Sequence, residues 1–169
     1  DHIFSFLNDL QDIREFYNIP PDLIINLDES AVHFDAIPAY SYEFKGVKHP
    51  PLKVSNGYKK RMTVLLAITG AGEKLTSHLI FKGKGAKVRK LNNHKGLLIY
   101  KNKAAWMTRL IFKDYLMYCV KSWLRRKRQD LESPNQKGII ILDNTSSHVF
   151  QGPELLEIEN ALNVKLVYL

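Results

Sequence analysis

The chain has 169 residues, 45% hydrophobic and 25% charged, with Cys119 as its one cysteine. That allows one domain with a real core but not two comfortable ones, and excludes an internal disulfide or a cysteine-built zinc site; no apolar run approaches the ~20 residues a bilayer span needs. The net charge of +8 is concentrated: residues 1–50 carry 3 basic and 9 acidic groups, 51–128 carry 20 and 2, and 129–169 carry 2 and 6, so the middle block points to a polyanionic partner, nucleic acid first, rather than a merely solvated surface.

Residues 1–20 predict an N-terminal helix. Ile3, Phe6, Leu7, Leu10, Ile13, Phe16 and Tyr17 recur near helical spacing, and Pro20-Pro21 stops it. The stretch is acidic and amphipathic and lacks a basic leader with a cleavage site, so an intracellular protein is expected. Asn144-Thr145-Ser146 is then a chance match to a glycosylation acceptor. "LIINLDES" (23–30) is an apolar run ending on Asp28, short enough for a buried strand. Residues 31–60 read as irregular, punctuated by Pro38, Pro50, Pro51 and Gly57.

"RMTVLLAIT" (61–69), the turn "GAGE" (70–73) and "KLTSHLIF" (74–81) predict a β-hairpin. A basic loop (82–96) leads to a short strand, "LLIY" (97–100). From 104 to 128 the pattern is helical and places Trp106, Ile111, Tyr115, Trp123 and the other aromatics of the helix in the core. The run Arg125–Arg128 ends it, well placed against the helix dipole. "IIILD" (139–143) is a strand, 153–162 a helix with Pro153 in its first turn, and "VKLVYL" (164–169) a last strand. Strands come first as an antiparallel set, then alternate with helices. The fold class expected is α/β: one domain over 1–169, with a mixed β-sheet of an antiparallel hairpin plus parallel strands and helices packed on it.

Asp28 and Asp143 occupy equivalent places, each at the carboxyl end of a buried-looking strand and each followed by small polar residues. Ligands of sheet-based α/β proteins gather there. If the two strands are parallel neighbours, the carboxylates face one another across about 5 Å. They would repel unless a cation lay between them, and hard oxygen donors suit Mg²⁺ or Mn²⁺. Two such ions would serve phosphodiester chemistry. Each motif alone reads better as an Asp cap on the following turn; the pair, beside the basic block, tips the balance slightly to metal.

Four motifs carry a resemblance. "LIINLDES" resembles the N-x-D-E-[ST] motif of the pogo/Tigger/jerky-type transposases of the DDE superfamily, which are mariner-related. "IIILDNTSSH" resembles their L-L-x-D-N-x-x-[SG]-H motif, "KKRMTVLLAITGAGEKLTSHLIFKGKG" their K-x-R-x-T-V hairpin, and "AAWMTRLIFKDYL" their W-[MV]-[TN]-x-x-[IL]-F-x-x-[WY]-L helix. Order and spacing agree over about residues 20–169. The resemblance implies an RNase H-like fold and metal-dependent cutting and joining of DNA, with Asp28 and Asp143 as the first two acids of a catalytic triad. The family's third acid lies in a helix beyond the last strand, past a Q-P-[LM]-D-type segment. The sequence ends at Leu169, where that segment would begin, so a fragment or truncated copy, or lost activity, is expected. Glu154, Glu157 and Glu159 come too early to replace it.

Around the pair, Glu29, Asn144 and His148 are expected in supporting positions, His148 either toward a phosphate or orienting its own turn. Lys82, Lys84, Lys87, Arg89 and Lys90 suit phosphate contacts from a Gly-containing loop, and Lys59, Lys60 and Arg61 extend that track. Arg125–Arg128 read as a DNA contact, a nuclear localisation signal or a helix cap. Tyr40 and Tyr42 are candidates for base stacking. His33, His49, His78 and His94 show no ligand spacing and read as structural or surface. "GAGEK" (70–74) lacks the spacing of a phosphate loop. The function expected is a transposase-derived endonuclease domain acting in the nucleus; the alternative is a domesticated, non-catalytic DNA-binding or chromatin protein. DNA and, as a homodimer, a second copy are the expected partners, with no membrane and no small-molecule cofactor.

Overall fold

The apolar runs of the sequence become the strands of one sheet. The computed structural model describes residues 2–34, 42, 44–47, 60–83 and 97–169. In chain order they form α1 (His2–Phe16), β1 (Ile24–His33), β2 (Arg61–Thr69), β3 (Ser77–Lys82), β4 (Leu97–Asn102), α2 (Arg109–Tyr115), α3 (Lys121–Asp130), β5 (Gly138–Leu142), α4 (Gly152–Leu162) and β6 (Val164–Tyr168). A π turn, Leu116–Val120, joins α2 to α3. The strand order is β4-β3-β2-β1-β5-β6. β1, β2 and β3 are antiparallel neighbours, whereas β5 and β6 run parallel to β1. The mixed sheet expected from the order of elements is therefore present.

Three boundaries differ from expectation. β1 does not stop at Asp28. Its second half stays paired with β2 from Asp28↔Leu66 to His33↔Arg61, so residues 31–33, which read as irregular, are strand. β4 pairs parallel to β3 rather than completing an antiparallel set; the connection over 83–96 is long enough for that return. The second helix starts at Arg109, not near 104. Ala105 adopts φ +56°, outside the right-handed helical region, and the Thr108 hydroxyl accepts from the Ile111 amide at 3.3 Å as an N-cap.

Strand alternation divides the residues between two faces. Leu23, Ile25 and Leu27 with Leu65 and Ala67 share one cluster with Phe112, Tyr115, Leu116, Val120 and Leu124 of the α2–α3 segment. Each such side chain contributes about 1.5–3 kcal/mol on full burial. β5 is "GIIIL" because it lies between β1 and β6, where a parallel strand is covered on both faces. Gly138 opens it, and a Cβ there would lie 2.9 Å from the Leu23 carbonyl oxygen. The opposite face of β1 and β2 stays more open: Leu66 and Ile68 are exposed.

Two buried charges lock the helical layer. Arg128 donates through Nε to the Gln136 carbonyl at 2.7 Å, and through its terminal nitrogens to those of Leu162 at 3.0 Å and Asn163 at 2.7 Å. It thereby caps the carboxyl end of α4, where a cation suits the helix dipole. Glu159 accepts from the Leu166 amide and from Lys165 Nζ, both at 3.0 Å, tying α4 to β6.

Candidate active site

The parallel pairing of β1 with β5 sets the site. Its register is Ile24↔Ile139, Ile25↔Ile140 and Asn26↔Ile141. The ladder ends there; the same register carried two residues further aligns Asp28 with Asp143, and neighbouring strands lie about 4.8 Å apart. Asp143 lies just past the end of β5, as the sequence suggests. Asp28 lies within β1, not at its end: it is where β5 leaves β1 and β2 alone continues the ladder. Its exposed carboxylate, with Asn26 and Ser30, lines an open cleft of about 580 Å³ whose apolar wall includes Leu66, Ile68 and Leu75.

Among the described residues, the hydrogen bonds engage one oxygen of each carboxylate. Asp28 Oδ1 accepts from the Glu29 amide at 2.7 Å. Asp143 Oδ1 accepts from the Thr145 hydroxyl at 2.9 Å and amide at 3.4 Å, and contacts His148 Nδ1. Neither Oδ2 takes a hydrogen bond among the described residues. Also among the described residues, no three His, Cys, Asp or Glu side chains group closely enough to hold a metal ion. Glu154 is engaged by Arg109 at 2.8 Å and Lys113 at 3.3 Å, and Glu157 by Lys113 at 3.5 Å.

Glu29 points to the face opposite Asp28, as alternation requires, and meets His148. That ring is fully buried, its Nε2 2.9 Å from Glu29 Oε1 and its Nδ1 against Asp143. Phe112 of α2 covers it, with ring centroids 4.3 Å apart. Burial alone would lower the His148 pKa; the hydrogen bond and charge of Glu29, then those of Asp143, outweigh it and raise it above 6.5. For Asp143 burial would raise the pKa, but the His148 and Thr145 hydrogen bonds and the His148 charge bring it below 3.8. A cationic His148 donates to both carboxylates at once, whereas the neutral ring can donate to one. The arrangement holds Asp143 ionised and links it to β1. Asn144 turns the other way, its amide donating to the Leu169 carbonyl, while the Leu169 amide bonds Leu142 at 2.8 Å. That closes the end of β6 on the turn.

Of the basic residues, Lys59, Lys84, Lys87, Arg89 and Lys90 lie outside the described residues, as does Tyr40. Lys60 and Lys82 are exposed at the ends of β2 and β3, and Tyr42 is fully exposed. Arg61 lays its guanidinium over the Trp106 ring, 4.0 Å from the centroid. Trp106 and Tyr118 correct the reading of the helix aromatics as core: they are 56% and 70% exposed. Trp106 precedes the helix, so its helical phase with Leu110 does not exist. The run 125–128 divides in two. Arg125 and Arg126 are exposed; Lys127 pairs with Asp22 at 3.0 Å and with Glu73, and Arg128 is buried on carbonyls. Helix capping therefore accounts for Arg128, a role the sequence left open.

Residues 59–169 match the family described as DDE superfamily endonuclease. The chain belongs to that family. This DDE domain is also 24% identical over 163 residues to the Tigger transposable element-derived protein 4 of Mus musculus, which takes in 94% of this chain and 28% of that protein. The domain thus spans little more than a quarter of that relative. Its fold matches the Mos1 transposase in a pre-cleavage transpososome, with a TM-score of 0.59 at 14% identity over 96% of this chain and 40% of that one. It also matches the catalytic domain of Mos1 mariner transposase, with a TM-score of 0.54 at 13% identity over 96% and 56%. The Mos1 mariner paired-end complex with Mn gives 0.56 at 16% identity over 94% and 39%. The RNase H-like architecture implied by the motifs is the one found.

Proposed function

We propose that this DDE domain binds DNA and contributes Asp28 and Asp143 to divalent-metal-dependent cutting and joining of phosphodiester bonds, as part of a transposase-derived endonuclease. The observation that carries the reading is the β1–β5 register: continued two residues past Asn26↔Ile141 it aligns Asp28 with Asp143, and among the described residues one oxygen of each takes no hydrogen bond. Mg²⁺ commonly takes one or two carboxylates and completes its shell with waters and substrate phosphate oxygens, so the pair fits such a cation, Mn²⁺ included. A bound ion would offset negative charge on the attacking and leaving oxygens. The chain's own part is to hold the donors. β1 fixes Asp28 through its ladder with β2, and the Thr145 and His148 contacts keep Asp143 ionised and oriented.

Supporting context comes from structures of the same fold: the Mos1 mariner paired-end complex with Mn named above, and a Mos1 transposase paired-end complex with left transposon end. They support a divalent cation, DNA ends as substrate and pairing of two copies. We infer a nuclear location from the proposed DNA substrate alone. The test is DNA affinity by fluorescence anisotropy in Mn²⁺ and in EDTA. Mn²⁺ should tighten binding of the parent and leave Asp143→Asn unchanged. An equal response in both proteins contradicts the assignment.

A further inference from the structure

Trp106 is held out, not merely left out. Tryptophan is normally well buried, as Trp123 is at 7% exposure, yet Trp106 is 56% exposed. Its backbone is gripped from three elements. The Thr63 hydroxyl of β2 donates to the Ala105 carbonyl at 2.6 Å. Asn102 of β4 donates to the Trp106 carbonyl at 2.5 Å and accepts from the Ala104 amide at 3.1 Å. Thr108 then caps α2. Ala105 meanwhile sits at φ +56°, a strained conformation for a residue with a Cβ. An exposed cation–π pair stabilises the fold only weakly, so the Arg61 contact does not account for a rigid, strained mount carrying a solvent-facing indole.

The surroundings suit one class of ligand. Lys101 and Lys103 lie within five residues of Trp106 with no acid between, and Lys60 adjoins Arg61; Arg109 and Lys113, further on, are paired with Glu154. Arg61 shares its face of β2 with Leu65, the ladder partner of Glu29. Four residues of strand separate them, about 13 Å, on the face of the sheet that carries Glu29 and opposite that of the Asp28 carboxylate.

We propose that Trp106 and Arg61 form a stacking platform for an unpaired DNA base. The indole offers a π-face, and the guanidinium over it adds cation–π attraction and a phosphate contact; such stacking is tolerant of base identity. The platform rests on the DNA-binding reading but differs from the phosphate track in one respect: it needs the base.

The experiment compares a single-stranded oligothymidylate with an abasic oligonucleotide of equal length. Anisotropy gives affinity and tryptophan emission reports the ring, since Trp123 is buried. The parent should bind the base-containing strand roughly ten-fold more tightly, with quenched emission. Trp106→Leu should bind both strands alike, without quenching; Trp106→Tyr should recover part of the preference, and Arg61→Gln should lose part of it. Equal binding of both strands by the parent, or a preference that survives in Trp106→Leu, overturns the platform while leaving DNA binding intact. Binding of neither strand nor duplex overturns both readings.

Discussion

Replacing His78 with leucine should remove a defined part of the protein's acid sensitivity. His78 lies within β3, fully buried, its ring 4.3 Å from that of Tyr100 and 4.9 Å from that of Tyr115. Among the described residues, neither ring nitrogen has a hydrogen-bond partner. Burial lowers its pKa from 6.5 to about 4. The folded protein therefore keeps His78 neutral at pH values where the unfolded chain has taken up the proton. Its stability is unaffected above pH 6.5 and falls as the pH drops from there toward 4. At about 1.4 kcal/mol per pKa unit the full loss is about 3 kcal/mol, most of which is gone by pH 4.5. Urea unfolding of the parent and of His78→Leu at pH 7.5 and 4.5 reads this directly. The stability difference between the two proteins should move by about 2–3 kcal/mol in favour of the variant on going to pH 4.5. A difference that stays constant within about 0.5 kcal/mol would refute the assignment of His78 as a buried neutral group.

Two further outcomes concern basic side chains. Arg128→Lys puts a point charge where a planar fork meets three carbonyls; it should lower stability in urea melts by about 2–4 kcal/mol, and a negligible change would dismiss the capping role. Lys60→Ala with Lys82→Ala should flatten the log–log salt dependence of DNA affinity by up to about 1.8, near 0.9 for each phosphate no longer neutralised. An unchanged slope removes both residues from the track.

The central features could be read from sequence because they depend on local pattern. Asp28 and Asp143 stand out as carboxylates closing apolar runs, and the run of isoleucines before Asp143 needs two covered faces, which a strand between β1 and β6 has. What could not be read depends on partners distant in the chain. "SAVH" (30–33) is too short and mixed to read as strand, and only its pairing with β2 makes it one. Trp106 shares a helical phase with Leu110 in the sequence, but Ala105 leaves the helical region and breaks it. Arg128 looks like one cation among four until α4 brings it three carbonyls. His148 was legible as part of the turn, whereas its bond to Glu29 needed the fold to bring together residues far apart in sequence.

Mn²⁺ binding to the protein, followed by the electron paramagnetic resonance of the free ion, tests the paired carboxylates most directly. The account predicts saturable binding that weakens roughly ten-fold or more in both Asp28→Asn and Asp143→Asn, since each removes one of two anionic donors from a hard cation. Binding of equal strength in the parent and in either variant would contradict it.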